Sequence, residues 1–306
     1  QTSIVSGASS ATIYYKNTIA ENLTLTASDA AASLGTGTLN VSSGPDRITV
    51  TLASSFNSGT CQPVTIITKD NSSNIYGVLV STVVDLSDTA AGGVFYSDVA
   101  RGTGITDVTI GVGIDTTMVY YKNNNALALT IRASDSAADL STGTASVVSG
   151  PNRLILSGLT SFKTGSCQGY AIISKDAANS TKAVLVDTVL NLSDGAAGGN
   201  YFSNSSCSAG ITQSTLLAGS NSNTVYYKMN IAGAFTLGAA DNAGTLAAAS
   251  LNVTATPDHL SLSGPLSFAA GSCVPYTVST KDVNGTSANP SAAVTIDLEG
   301  AASGSF

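Results

Sequence analysis

Apolar and polar residues alternate along most of this chain, and the alternation returns at a fixed interval. In Leu23-Thr24-Leu25-Thr26-Ala27 every second residue is apolar, the two-residue period of a strand with one buried face. The pattern recurs as Leu129-Thr130-Ile131-Arg132-Ala133 and as Phe235-Thr236-Leu237-Gly238-Ala239, 106 residues further on each time. Ala11, Ile13 and Tyr15 alternate in the same way, and Val119-Tyr120-Tyr121-Lys122 and Val225-Tyr226-Tyr227-Lys228 are their copies. Cys61 opens a β-branched run (Val64, Ile66, Ile67) that closes on Lys69-Asp70 before the polar turn Asn71-Ser72-Ser73-Asn74. Cys167 and Cys273 open equivalent runs closing on Lys175-Asp176 and Lys281-Asp282, again 106 residues apart. Each is a buried strand running into a surface loop.

The rest of the period follows suit. A short strand at 38–41 precedes a Pro-marked break at Ser43-Gly44-Pro45-Asp46, repeated at Ser149-Gly150-Pro151-Asn152 and Thr256-Pro257-Asp258. Alternating strands follow each break, through Ile48, Val50 and Leu52, through Leu154 and Leu156, and through Leu260 and Leu262. Phe56, Phe162 and Phe268 close them. Apolar strands are predicted at 78–86, 183–192 and 292–298, and the first two lead into Gly-rich turns with aromatic ends, Phe95-Tyr96 and Tyr201-Phe202. Each period thus holds about seven short strands with turn signals between them and no sustained helical period, which predicts an all-β chain of tandem antiparallel β-sandwiches.

Composition narrows the function classes. Of 306 residues only 10% are charged, the net charge is −7, and there is no Trp. The chain is poor in helix formers and rich in the β-branched and hydroxyl residues that suit a pleated surface. Nucleic-acid binding needs clustered Lys and Arg, which this acidic chain lacks. It contains no run of 18 apolar residues to span a membrane as a helix. Gln1 follows no basic or apolar leader and is expected to be a processed terminus. The four cysteines form no Cys-x-x-Cys pair, and His259 is the one histidine. That is no metal pattern; it points to one or two structural disulfides in an oxidising, extracellular compartment. No Ser-His-Asp set assembles around His259 in the sequence, so no enzyme is expected.

The array, the strand that closes on Lys-Asp before an Asn/Gly turn, and the later Leu23-Thr24-Leu25-Thr26-Ala27-Ser28 strand resemble bacterial immunoglobulin-like repeats of large surface proteins and adhesins, of the invasin and intimin type. The resemblance covers the whole chain. It implies immunoglobulin-like modules that start after each Pro break. Residues 46–150 and 151–256 are then complete modules, 1–45 is the C-terminal half of a module, and 257–306 is the N-terminal half of one. In this frame Cys207, 40 residues after Cys167, lies in the same module as Cys167, and a Cys167–Cys207 disulfide stays inside it. Arg101 stands at its position in the preceding copy. Cys61 and Cys273 have no cysteine in their own modules to pair with, which leaves them as buried thiols or as bridges between subunits.

The two half-modules complement each other. Phe306 aligns with Tyr201 and Gln1 with Gln213, and the dozen or so residues missing between them belong to one loop. The expectation is an extracellular bacterial fibre subunit, a homopolymer that assembles head to tail by completing a split module. Ile13, Tyr15, Leu23, Leu25, Ala27, Leu260, Leu262 and Val278 are the assembly-strand residues. The alternative is the stalk of a repeat adhesin that binds a cell surface or a glycan, with the outward ring of each Tyr-Tyr pair as its contact. The recurring aspartates (Asp29, Asp135 and Asp241; Asp70, Asp176 and Asp282; Asp88 and Asp194) offer oxygens of the kind Ca²⁺ takes, though turn capping is their plainer role.

Overall fold

The computed structural model describes residues 1–100, 102–195 and 198–300; Arg101 and Phe306, used above for alignment, lie outside them. The described residues contain strands and turns but no helix. The chain forms two compact units, Gln1–Ser149 and Gly150–Phe306.

The first unit opens with a hairpin of β1 (Glu21–Ala27) and β2 (Gly37–Ser43). Then come β3 (Arg47–Thr51), β4 (Ser55–Asn57), β5 (Cys61–Lys69), β6 (Thr82–Asp88), β7 (Gly93–Tyr96), β8 (Gly104–Ile105), β9 (Asp107–Ile110), β10 (Thr116–Asn123), β11 (Ala128–Asp135) and β12 (Gly143–Gly150). These ten make two five-stranded sheets, ordered β3-β5-β10-β7-β8 and β4-β12-β11-β6-β9. Their inner faces meet in one core that includes Ile48, Val64, Ile66, Val84, Val119, Tyr121 and Ile131. Alternation decides the facing: along β10 the burial switches at every residue, with Val119 and Tyr121 inward.

The second unit repeats the plan with β13 (Arg153–Gly158), β14 (Ser161–Lys163), β15 (Cys167–Lys175), β16 (Thr188–Ser193), β17 (Gly199–Phe202), β18 (Gly210–Ile211), β19 (Gln213–Leu216), β20 (Ser222–Met229), β21 (Gly233–Asp241) and β22 (Ala249–Thr256). The sheet orders are the same, β13-β15-β20-β17-β18 and β14-β22-β21-β16-β19. The core again fills the space between them, with Tyr170, Ile172, Leu190, Val225, Tyr227 and Leu237 inside. A hairpin of β23 (His259–Ser263) and β24 (Thr277–Lys281) follows the sandwich. Gly59, Gly165 and Gly271, in the turn before each cysteine strand, all adopt a left-handed backbone (φ 77°, 79° and 82°), which glycine takes without a Cβ clash.

The all-β class holds, but several strand assignments change. Each sandwich has ten strands rather than about seven; the additional ones are β4, β8 and β9 and their copies, at three, two and four residues. Residues 78–81 and 183–187 are loop, not strand: Val78 and Val184 donate their N–H groups to the carbonyls of Ile114 and Ser220, and strand begins only at Thr82 and Thr188. Residues 11–17 and 292–298 are not strands at all. The counterpart of 11–17 in the first sandwich, β10, is held between β5 and β7, and the flank supplies neither neighbour. The counterpart of 292–298, β16, is held between β19 and β21. A strand without neighbours leaves its N–H and C=O groups to water and gains nothing from extension. For the same reason β24 starts at Thr277, whereas β5 and β15 start at their cysteines.

Candidate assembly site

The two flanking segments show apolar positions that the sandwiches cover. Tyr15 is 57% exposed, while its counterparts Tyr121 and Tyr227 are 0% exposed. Leu262 is 64% exposed against 5% for Leu156, and Phe268 is 58% exposed against 6% for Phe162. Ile13 and Leu260 are exposed as well. Leu23 and Leu25 on β1 and Val278 on β24 are half-buried, and Ala27 is exposed. In the second sandwich the strands equivalent to β23 and β24 are β13 and β15, and β20 pairs with β15 directly. The residues equivalent to β20, β21 and β22 in the N-terminal flank are 10–17, β1 and β2. The N-terminal flank therefore carries the strand types that would cover the C-terminal one.

Each flank is already fixed to the sandwich next to it. Asp70, at the end of β5, ties the N-terminal flank down: its Oδ2 accepts the N–H of Ala20 at 3.0 Å and its Oδ1 accepts those of Ser72 and Asn74. Burial opposes ionisation of Asp70, but the donors of Ala20, Asn74 and Ser72 outweigh it and hold its carboxyl below the usual range. Ser72 Oγ donates to the Thr18 carbonyl at 3.3 Å, and the Leu79 side chain lies against Gly44. At the C-terminal flank, Thr164 Oγ1 accepts the Val283 N–H at 3.3 Å and donates to Asp258 Oδ1 at 3.5 Å. The Val283 side chain covers Gly165, where an added Cβ would meet it at 3.2 Å. His259 Nδ1 lies 2.8 Å from the same Asp258 oxygen.

Inside each sandwich a tyrosine–aspartate pair stands near the end of the core. Tyr121 donates its hydroxyl to Asp88 Oδ2, and Asn123 Nδ2 donates to that hydroxyl at 3.2 Å. Tyr227 donates to Asp194 Oδ2 at 2.8 Å. Burial first, and then the neighbouring carboxylate, hold both hydroxyls well above the ordinary tyrosine value. Gly93 and Gly199 sit where a Cβ would overlap these pairs. Alternating strands locate both tyrosines, but the acceptors lie 33 residues away in sequence; the repeat of Asp88 at Asp194 was the available signal.

Cys167 and Cys207 are disulfide-bonded, with Cα atoms 5.9 Å apart. The bond ties the start of β15 to the turn before β18, at the far edge of the same sheet. Cys61 is half-buried at the start of β5, and Cys273 is an exposed thiol. Asp29, Asp135 and Asp241 each accept backbone N–H groups of the loop that follows, for example those of Ala137, Asp139 and Leu140 on Asp135. Among the described residues no three Asp, Glu, His or Cys side chains are grouped to hold a metal ion. The outward rings of the Tyr-Tyr pairs, Tyr120 and Tyr226, are half-buried on the outer face of their sheets.

No family model matches the chain, and no curated protein matches it in sequence. Among solved structures it is similar to an adhesin of Yersinia pseudotuberculosis, InvE, at 17% identity and a TM-score of 0.27, over 68% of this chain and 58% of that one. The Escherichia coli adhesin FdeC overlaps 79% of the chain, and 75% of its own, at 18% identity and a TM-score of 0.35. The D00-D0 domain of intimin overlaps 68% of the chain, and 98% of its own, at 13% identity and a TM-score of 0.39.

Proposed function

We propose that this chain is a structural subunit of an extracellular bacterial fibre or surface appendage, and that it polymerises head to tail by completing a split sandwich between subunits. The observation that carries this reading is the complementarity of the flanks. Apolar residues that both sandwiches bury are exposed in the two flanks, and each flank carries the strand types that cover the other in a complete sandwich. Residues 257–300 of one subunit receive 10–17, β1 and β2 of the next as missing strands, with backbone hydrogen bonds and alternating side chains filling the gap. The contact joins two different surfaces, so it generates an open filament rather than a closed dimer.

Pre-organisation favours this union. Asp70 fixes one flank and Thr164 the other, so less conformational freedom is lost on joining. The two sandwiches keep the same ten-strand plan with no large insertion, as expected of a spacer or polymer unit. The disulfide fits an oxidising compartment. No helix among the described residues is long and apolar enough to cross a membrane.

Electron microscopy and sedimentation of the intact chain, beside a variant lacking residues 1–45, test the proposal. Filaments from the intact chain and monomers from the variant are the expected result. Filaments from both overturn it. An intact chain that remains monomeric at high concentration also overturns it, and the stalk of a repeat adhesin then becomes the better description.

A further inference from the structure

Both sandwiches close one end of their core with a buried tyrosine that donates to a carboxylate at the end of the opposing sheet's strand, Tyr121 to Asp88 and Tyr227 to Asp194. A buried hydroxyl without an acceptor is destabilising, so tyrosine and acid form a unit. The N-terminal flank repeats the tyrosine as Tyr15, and it repeats Asn123, the second partner of Tyr121, as Asn17. Among the described residues no carboxylate of the flank or its hairpin meets Tyr15, which stands exposed.

The C-terminal flank repeats the other half in altered form. Leu192-Ser193-Asp194 before Gly195 becomes Leu298-Glu299 before Gly300, one residue shorter and with a longer acid; Leu86-Ser87-Asp88 is the same segment in the first sandwich. Asp297 occupies the place of Asp85 and Asn191, both outward and exposed, so Glu299 is the carboxylate left to meet an inward hydroxyl. The acid is the last residue of β6 at Asp88 and lies one residue past β16 at Asp194, so the strand's two-residue period is not carried on beyond it. Glutamate reaches one methylene further than the aspartate it replaces.

We propose that Glu299 of one subunit accepts a hydrogen bond from the Tyr15 hydroxyl of the next, closing the core of the split sandwich across the subunit seam. This rests on the completion reading above and names the pair that locks the joint. It also accounts for a tyrosine hydroxyl and a glutamate in flanks that otherwise join through apolar faces.

The test compares the full-length chain with Tyr15→Phe, Glu299→Ala, the double variant and Asp297→Asn, reading the critical concentration for filament formation by sedimentation. Each single change at the pair strands a buried polar group and should raise that concentration about tenfold to a hundredfold. The double variant should assemble no worse than either single one, because neither partner is left unmet. Asp297→Asn should assemble as the parent does. If the parent forms filaments and Glu299→Ala does so at the parent's concentration, or if the two single effects simply multiply in the double variant, the pair is refuted and the completion reading stands. If the parent forms no filaments, both fall together.

Discussion

Replacing both Cys167 and Cys207 with alanine should selectively weaken the second sandwich. The bond closes a segment of 40 residues. Loop-closure entropy for a segment of that length corresponds to about 4 kcal/mol at 25 °C, held through restriction of the unfolded chain. For a domain of this size that lowers the midpoint by about 15 °C or more. The first sandwich has the same ten-strand plan and is untouched by the change, so it serves as an internal reference. Hydrogen exchange read by mass spectrometry at increasing temperature reports each sandwich through its own peptides. β15, β17 and β20 should lose protection early in the variant, while β5, β7 and β10 keep the parent's profile. A shift under about 5 °C in the second sandwich, with the bond shown intact in the parent by peptide mapping, would refute the entropic account.

Two further outcomes follow from the buried tyrosines. Gly199→Ala places a methyl that overlaps both the Tyr227 hydroxyl and the Asp194 carboxylate, so the pair must separate. Chemical denaturation should show a loss of about 2–3 kcal/mol, and an unchanged midpoint would contradict the geometry. The second sandwich buries Tyr170, Tyr201 and Tyr227, where the first has Val64, Phe95 and Tyr121. Burial raises all three hydroxyls, Tyr170 to about 12. Their contribution is complete below pH 10, the ordinary tyrosine value, and is lost as pH rises through the folded values. Hydrogen exchange between pH 10 and pH 12 should therefore find the second sandwich weakening more steeply than the first; equal slopes would count against it.

Alternation at 23–27, 129–133 and 235–239 and the recurring cysteine strands carried most of the fold in plain view, because one-sided burial writes a two-residue period into the sequence. Three strands per sandwich were not legible for a physical reason. β4, β8 and β9 have three, two and four residues, too few to display a period. The segments 11–17 and 292–298 do display it, yet they are not strands. Their counterparts β10 and β16 are strands because neighbours hold them on both sides, and the flanks place no such neighbours beside these segments. The flanks as candidate surfaces were legible from the repeat alone. The ties made by Asp70 and Thr164 were not, since a carboxylate that caps its own loop and one that also holds a neighbouring segment look alike in sequence.

The second sandwich pairs β14 with β22 in parallel, Ser161 beside Thr254, Phe162 beside Ala255 and Lys163 beside Thr256. These strands belong to the two ends of the domain. Pulling a sandwich by its ends therefore drags two parallel neighbours past each other along their length. The hydrogen bonds between them bear the load together, in shear, instead of parting one at a time as in a peeled hairpin. In the first sandwich β4 also lies beside β12, and Arg47, at the start of β3, makes a parallel bridge to Ser141. A thread made of such units would resist tension in every link without any covalent bond between links.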